Sequence, residues 1–414
     1  MKKERFLKLL MPLILVSFLT TNPAWVFGMD KKSDSILLHA ARVFDGKKFR
    51  TNTSVTIVDG KVEKIGPRSS FESNYSKIID LGDATLLPGF IELHAHLSFR
   101  KIPANTVLMH GITTIRDVGG PVHKPFGGKG SLRVLTSGRT ITAPNGYPIP
   151  NMGSKNIAIA VSTEKEARKT VRNLIEAGAV VIKVTLEPGG EVGAPWSTPH
   201  SHGHHNHGHH KAAKKIHSHT ETASKKSWPL LPENIVKAIV NEAHKNNRKV
   251  TAHVAEEKGV RIAINSGIDE WAHVPCNAIP ISLLKKAVSQ KVKIVSTLDT
   301  LSKCSGLAEN AATWTSLGGE LLYGAEIAHP DIPWGIDAQE LMYLKQMGKM
   351  DLINILQAAT SKAGSHINIP LLGTLQVEAP ADIIAVKGDP TKSLKILEYP
   401  DLVISGGKIV KNNF

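Results

Sequence analysis

Residues 86–100, LLPGFIELHAHLSFR, decide the fold. After Pro88-Gly89 the stretch runs apolar and ends in two histidines, which reads as a buried strand. Residues i and i+2 of a strand share a side, so the imidazoles of His94 and His96 reach one point beyond the strand's end. That is a metal-site geometry, although two packed strand-end histidines would give the same pattern. Further candidates downstream favour the metal: Lys183 in AVVIKVT, His253 in KVTAHVAEE, His273 in IDEWAHVP and Glu326 in LLYGAEIAHP, each closing an apolar run.

Outward from this strand, apolar β runs alternate with helical patterns, the signature of a parallel sheet wrapped by helices. The strand candidates are GFIELHAH, GITTIRDV, LRVLTSG, AVVIKVTL, RKVTAHV, IDEWAHV, KVKIVSTL and ELLYGAE. STEKEARKTVRNLIEAG and PENIVKAIVNEAHKN carry apolar residues at helical spacing behind capping residues. The expected fold class is α/β, a (β/α)8 TIM barrel over residues 87–366, whose reactive groups sit at the C-terminal strand ends. The candidate ligands lie at those ends.

The two ends of the chain read differently. Residues 29–86 hold short β segments punctuated by Asp-Gly pairs, and residues 367–414 supply similar pieces, ADIIAVKGDP and DLVISGGKIVKNN. Neither set buries a face alone, so both are expected to pair into one small β-sandwich module. Residues 1–28 join a basic start, MKKERFLK, to the apolar LLMPLILVSFLTT, as in a cleavable export signal. The apolar stretch is short for a membrane span, and no second run of spanning length follows. An exported protein, periplasmic or secreted, is the expectation.

The 414 residues carry a formal charge of +15, of which +12 remains once the signal is removed. The lysines are scattered and no aromatic-interleaved basic stripe is present, so nucleic acid is not an expected partner. The 41% hydrophobic content excludes general disorder. Two cysteines, Cys276 and Cys304, exclude a disulfide-built scaffold; an oxidising compartment permits their pairing, which sequence alone leaves open. Residues 189–229 form a Gly/His/Lys-rich insertion with nine histidines between His200 and His219. It has no apolar period and reads as a flexible loop with weak metal affinity, following the fourth strand. Tyr147 is a candidate oxyanion donor, or else an exposed loop tyrosine. Arg116 is a candidate substrate contact, with a structural pair to Asp117 as its alternative.

Imidazole and carboxylate suit zinc and similar divalent ions, and a lysine buried among them is either a costly cation or a chemically altered group. Taken with PGFIELHAHL, GITTIRDVGG, VIKV, TAHV, LQAATSKAG and GTLQVEAPADIIAVKGDP, the chain resembles the metal-dependent amidohydrolase superfamily, in its imidazolonepropionase-like and Xaa-Pro dipeptidase-like branch. The likeness spans nearly the whole mature chain. It implies two divalent metal ions, zinc foremost: one on His94 and His96, a second on His253 and His273, with Lys183 carboxylated to a bridging carbamate. It also implies that the eighth-strand carboxylate binds the first ion and takes a proton from the attacking water. Relatives read Gly-Thr-Asp there, whereas this chain reads Gly324-Ala325-Glu326. Asp331 and His329, just beyond, are substitutes for that role. The implied function is hydrolysis of a carbon–nitrogen bond, on dipeptides or N-acyl compounds, by metal-activated water. The longer acid motivates an alternative, a catalytically weakened metal-binding protein on the same scaffold. The individual substrate and the oligomeric state are not readable from the sequence.

Overall fold

The computed structural model describes residues 32–153, 157–197 and 227–414. The export signal and residues 198–226 of the histidine-rich insertion lie outside the described residues.

All eight expected strands form, in the expected order. Phe90–Ala95, buried along its whole length, pairs in parallel with Ile112–Asp117, which pairs in parallel with Arg133–Thr136. Val181–Thr185, Lys249–His253, Glu270–Trp271, Lys293–Val295 and Glu320–Leu322 follow one another in a second parallel sheet. Two short strands that were not anticipated, Thr140–Thr142 and Ala158–Ala160, lengthen that sheet to seven. The hydrogen bonding therefore forms sheets of three and seven strands, not one continuous ladder.

Individual contacts span the two seams. At one, the Val180 amide donates to the Thr136 carbonyl at 2.9 Å. At the other, Ala95 bridges Ile327 and the His96 amide donates to the Ile327 carbonyl at 2.9 Å. The carboxylate of Glu92 completes this second seam, accepting the His94 amide at 2.7 Å and the Ala325 amide at 2.9 Å. A buried acid thus ties the strand that carries the HxH pair to the segment that carries Glu326.

Helices cover these sheets with an apolar stripe inward. In Glu164–Glu176 the buried residues Ala167, Val171 and Leu174 recur at helical spacing, and Thr163 with Glu166 closes a capping box at its start. Among the described residues no helix is long and apolar enough to cross a membrane.

The chain ends meet in one mixed sheet of eight strands. Lys32–Phe44 pairs with Phe49–Val58 on one side and with both Tyr75–Asp80 and Ala84–Pro88 on the other. That double pairing joins what would be two facing layers of a sandwich into a single hydrogen-bonded sheet around Leu38, Val55, Ile57, Leu86 and Ile404. The Asp59-Gly60 turn has φ of 50° and 80°, the left-handed pair that a two-residue hairpin requires. From the C-terminal end, Ile383–Lys387 lies antiparallel to Ala84–Pro88, which passes through Gly89 into Phe90–Ala95.

Candidate metal centre

The strand parity read from the sequence brings its ligands together. His94 Nε2 lies 3.3 Å from His96 Nε2, and His96 Nε2 lies 3.7 Å from Glu326 Oε1. Ligand atoms of these three residues all fall within 4.8 Å of one another. Beside them, His273 Nε2 lies 3.0 Å from His253 Nδ1, and the His94 and His273 rings are 4.6 Å apart. Lys183 lines the same cavity as His96, His253 and Glu326.

The outer ring atoms of His94 and His273 are hydrogen bonded by the fold. A carbonyl can only accept, so the 2.9 Å contact of His94 Nδ1 with Ala272 O places the proton on Nδ1 and leaves Nε2 with its lone pair. Thr297 Oγ1 meets His273 Nδ1 at 2.8 Å, and Glu187 Oε2 lies 3.3 Å from His253 Nε2. His96 is held by stacking, its ring 4.6 Å from Phe99 and 5° from parallel. Anchored outer atoms with inner nitrogens converging are what metal-bound histidines require. A cation between them would also relieve the repulsion of facing lone pairs. The donor set therefore fits a divalent ion of the zinc type.

Electrostatics agree with that fit. Burial, with neighbouring positive groups, holds all four imidazoles well below their ordinary pKa, so they stay neutral and able to ligate. Burial lowers the Lys183 amine to about 7, against Glu326 and Glu270, which raise it. Burial also raises the Glu326 carboxyl to about 7, with Lys183 opposing. The extra methylene of Glu326 is accommodated by the backbone. Its φ of 70° and the 99° of Ala328 turn the segment through the left-handed region, and Oε1 stays within ligand reach of His96.

The remaining sequence candidates divide. Tyr147 is not an exposed loop residue: its ring lies 5.0 Å from that of His253 and stacks on Trp228 at 5.1 Å. Burial pushes its phenol well above the ordinary range, so it is a donor. Arg116 does not reach the cavity. Its guanidinium is buried and bound to both Glu270 oxygens, at 3.0 and 2.7 Å, while Nε donates to Leu93 O at 2.8 Å. Nor does it pair with Asp117, whose carboxylate accepts from Ser98 Oγ at 2.8 Å. His329 lines the cavity and Asp331 is exposed outside it. Cys276 and Cys304 are joined in a disulfide.

Sequence reasoning missed most of the walls, Tyr147 excepted, and the supports. The cavity, about 1020 Å³ with its open mouth, is lined by Phe99, Tyr147, Met152, Ile157 and Trp196, with Arg100 at the rim. Glu187 and Glu191, both buried, hydrogen bond to each other, and Trp196 Nε1 donates to Glu191 Oε2 at 3.1 Å. Burial raises Glu187 to about 7 and Glu191 to about 8, so the shared proton rests on Glu191. The signal for Glu187 was its place two residues past the strand that holds Lys183, outside any ligand spacing.

Comparison with known proteins bears on the fold and the family. Ochratoxinase of Aspergillus niger is 26% identical over 308 residues, covering 69% of this chain and 57% of its own length, so the chain spans little more than half of that relative. Among solved structures, A. niger ochratoxinase superposes with a TM-score of 0.70 at 19% identity, over 91% of this chain and 96% of that one. A Xaa-Pro dipeptidase with bound methionine gives 0.70 at 20% identity, covering 91% and 100%, and a putative prolidase from Bifidobacterium longum gives 0.71 at 22%, covering 91% and 94%. At these identities the superpositions show a shared fold, of the TIM-barrel type. The sequence model of the Amidohydrolase family matches residues 85–410, from the end sheet through every ligand-bearing strand and back, and the chain belongs to that family.

Proposed function

We propose that the protein is an exported, metal-dependent hydrolase of amide bonds, acting on dipeptides or other N-acyl amino acids. The observation that carries this reading is the convergence of His94, His96 and Glu326 within 4.8 Å on the floor of an apolar cleft. His94, His96 and Glu326 would hold one divalent ion, zinc foremost, and His253 and His273 a second. When bound, such ions polarise a carbonyl and lower the pKa of water toward neutrality.

The chain's own groups supply the rest. Glu326, beside His96 on the cavity wall, would take the proton of the attacking water and pass it to the leaving amine. Lys183, whose amine burial lowers to about 7, would add carbon dioxide at Nζ with loss of a proton, and the resulting carbamate would offer oxygens to both ligand sets. Tyr147 offers its hydroxyl to charge developing on the carbonyl oxygen. Phe99, Tyr147 and Trp196 give an apolar body its place, and Arg100, exposed at the rim without an ion-pair partner among the described residues, receives a substrate carboxylate. The disulfide supports an oxidising compartment.

The decisive experiment loads the purified full chain with zinc and screens dipeptides and N-acyl amino acids before and after chelation. Turnover that disappears with the chelator, returns with zinc and is absent from Lys183→Met is expected. Turnover indifferent to chelation overturns the reading, and two bound ions without turnover on any amide favour the weakened metal binder.

A further inference from the structure

Two of the four imidazoles are hydrogen bonded through the ring nitrogen that faces away from the centre, and a third has a carboxylate close to that nitrogen. His94 uses a main-chain carbonyl and His273 a threonine hydroxyl, both on neighbouring strand ends. His253 faces a carboxylate in a loop: Glu187 Oε2, 1% exposed as a residue, lies 3.3 Å from His253 Nε2. Among the described residues both atoms are buried without a hydrogen-bond partner, so each is left facing the other. The carboxylate is itself fixed, Oε1 accepting the Gly189 amide at 2.7 Å and the group hydrogen bonding to Glu191. Glu191 in turn receives the indole of Trp196, whose ring lies 4.4 Å from that of His253 and forms part of the cavity wall.

From this geometry we infer that Glu187 is a positioning residue for the second metal. With its Nε2 proton turned toward this carboxylate, His253 keeps its lone pair on Nδ1, the atom that faces His273 Nε2 at 3.0 Å. The alternative tautomer would aim a lone pair at a carboxylate and a proton at the ligand position. Glu191 and Trp196 are the braces of this carboxylate, so the wall that contacts substrate and the ligand of the second ion share one hydrogen-bonded chain. The inference rests on the binuclear reading above and deepens it: the two ion sites are unequal, and this chain sets the affinity of one of them.

The test titrates zinc into the metal-free full chain by calorimetry, alongside ¹⁵N spectra of the histidine rings, which report the tautomer of His253 without any turnover. Glu187→Ala is expected to weaken the second ion by about 10-fold to 100-fold and leave the first unchanged, with His253 losing its Nε2-protonated signature. The isosteric Glu187→Gln, which keeps an acceptor without charge, should retain the tautomer and weaken the second ion less; it serves equally if the alanine variant does not fold. Trp196→Phe, which removes only the indole donor, should weaken the same ion by about threefold to tenfold. A wild-type chain that holds two ions, beside Glu187 variants that hold both with unchanged affinity and tautomer, overturns this inference alone. A wild type that holds no ions overturns the binuclear reading and this inference with it.

Discussion

At the residue scale, the site is a set of ionisable groups whose burial is answered in different ways. Glu270 is buried with Arg116 on one side and His366 Nε2 at 2.5 Å on the other; although burial raises it, these partners hold it well below its ordinary pKa. Glu340 has no such cation. It is fully buried, accepts the Asp299 amide at 2.7 Å, and burial raises it from 4.5 to about 8. The folded state therefore keeps a proton that the unfolded chain releases, and stability falls as pH climbs between those two values, by on the order of 5 kcal/mol. Glu340→Gln keeps the acceptor and removes the titration. Calorimetry should show the wild-type melting temperature dropping from pH 5.5 to pH 8.5 and the variant dropping less; equal slopes would refute the assignment. None of this was legible in the sequence, because an acid's pKa depends on partners such as Arg116 and Glu270, which are 154 positions apart. The candidate ligands were legible for the opposite reason. His94, His96, Lys183, His253 and His273 lie in strands or within two residues of their ends, and strand parity is local information; Glu326, four residues past its strand, was legible only as a carboxylate after an apolar run.

At the element scale, loops hold the second ligand pair in place, and sequence patterns say least about loops. Cys276 lies three residues beyond His273, and its disulfide to Cys304 ties that loop to the one carrying Thr297 and Thr300. Thr297 orients His273, while Thr300 Oγ1 donates to Ala325 O at 3.0 Å, next to Glu326. Asn310 braces the same loop, accepting from the Ile279 amide at 3.0 Å and donating to Pro275 and Asn277 carbonyls at 2.9 and 2.7 Å. With 28 residues enclosed, the cross-link should contribute about 3 kcal/mol, mainly by restricting the unfolded chain. The Cys276→Ser/Cys304→Ser double variant is expected to melt several degrees lower and to lose zinc at lower chelator concentrations than the wild type. An unchanged chelator profile would show that Asn310 and the strand ends suffice. The strands themselves were foreseen; the two extra ones, Thr140–Thr142 and Ala158–Ala160, were not, since runs of three residues carry too little pattern to separate from loop.

At the scale of the whole molecule, the metal centre depends on pairing between segments nearly 300 residues apart. Ala84–Pro88 has Ile383–Lys387 as its antiparallel neighbour and leads, through one glycine, into the strand of His94 and His96. That joint is tight: a Cβ on Gly89 would lie 2.2 Å from Thr113 Cγ2, and the Gly89 amide donates to Asp382 O at 2.9 Å. Asp382 also pairs with Arg133 at 3.2 Å, on the third strand of the ligand-bearing region. The sequence announced that both ends were β-rich and pair into one module, but not that the module is a single hydrogen-bonded sheet, because register between distant segments is set by contacts. Removing residues 383–414 would expose the edge of Ala84–Pro88 and delete the buried Ile383, Ile384, Ala385, Leu402, Val403 and Ile404. At roughly 1.5–3 kcal/mol for each large apolar side chain lost from the core, the deficit approaches the whole stability of an ordinary domain. A chain ending at Asp382 should therefore lack a cooperative melting transition and bind zinc without the paired stoichiometry. Adding the separate 383–414 peptide should restore part of both, because the missing strand pairs through its backbone. A truncated chain that melts cooperatively and holds two ions would mean that the ligand-bearing region folds without the end sheet.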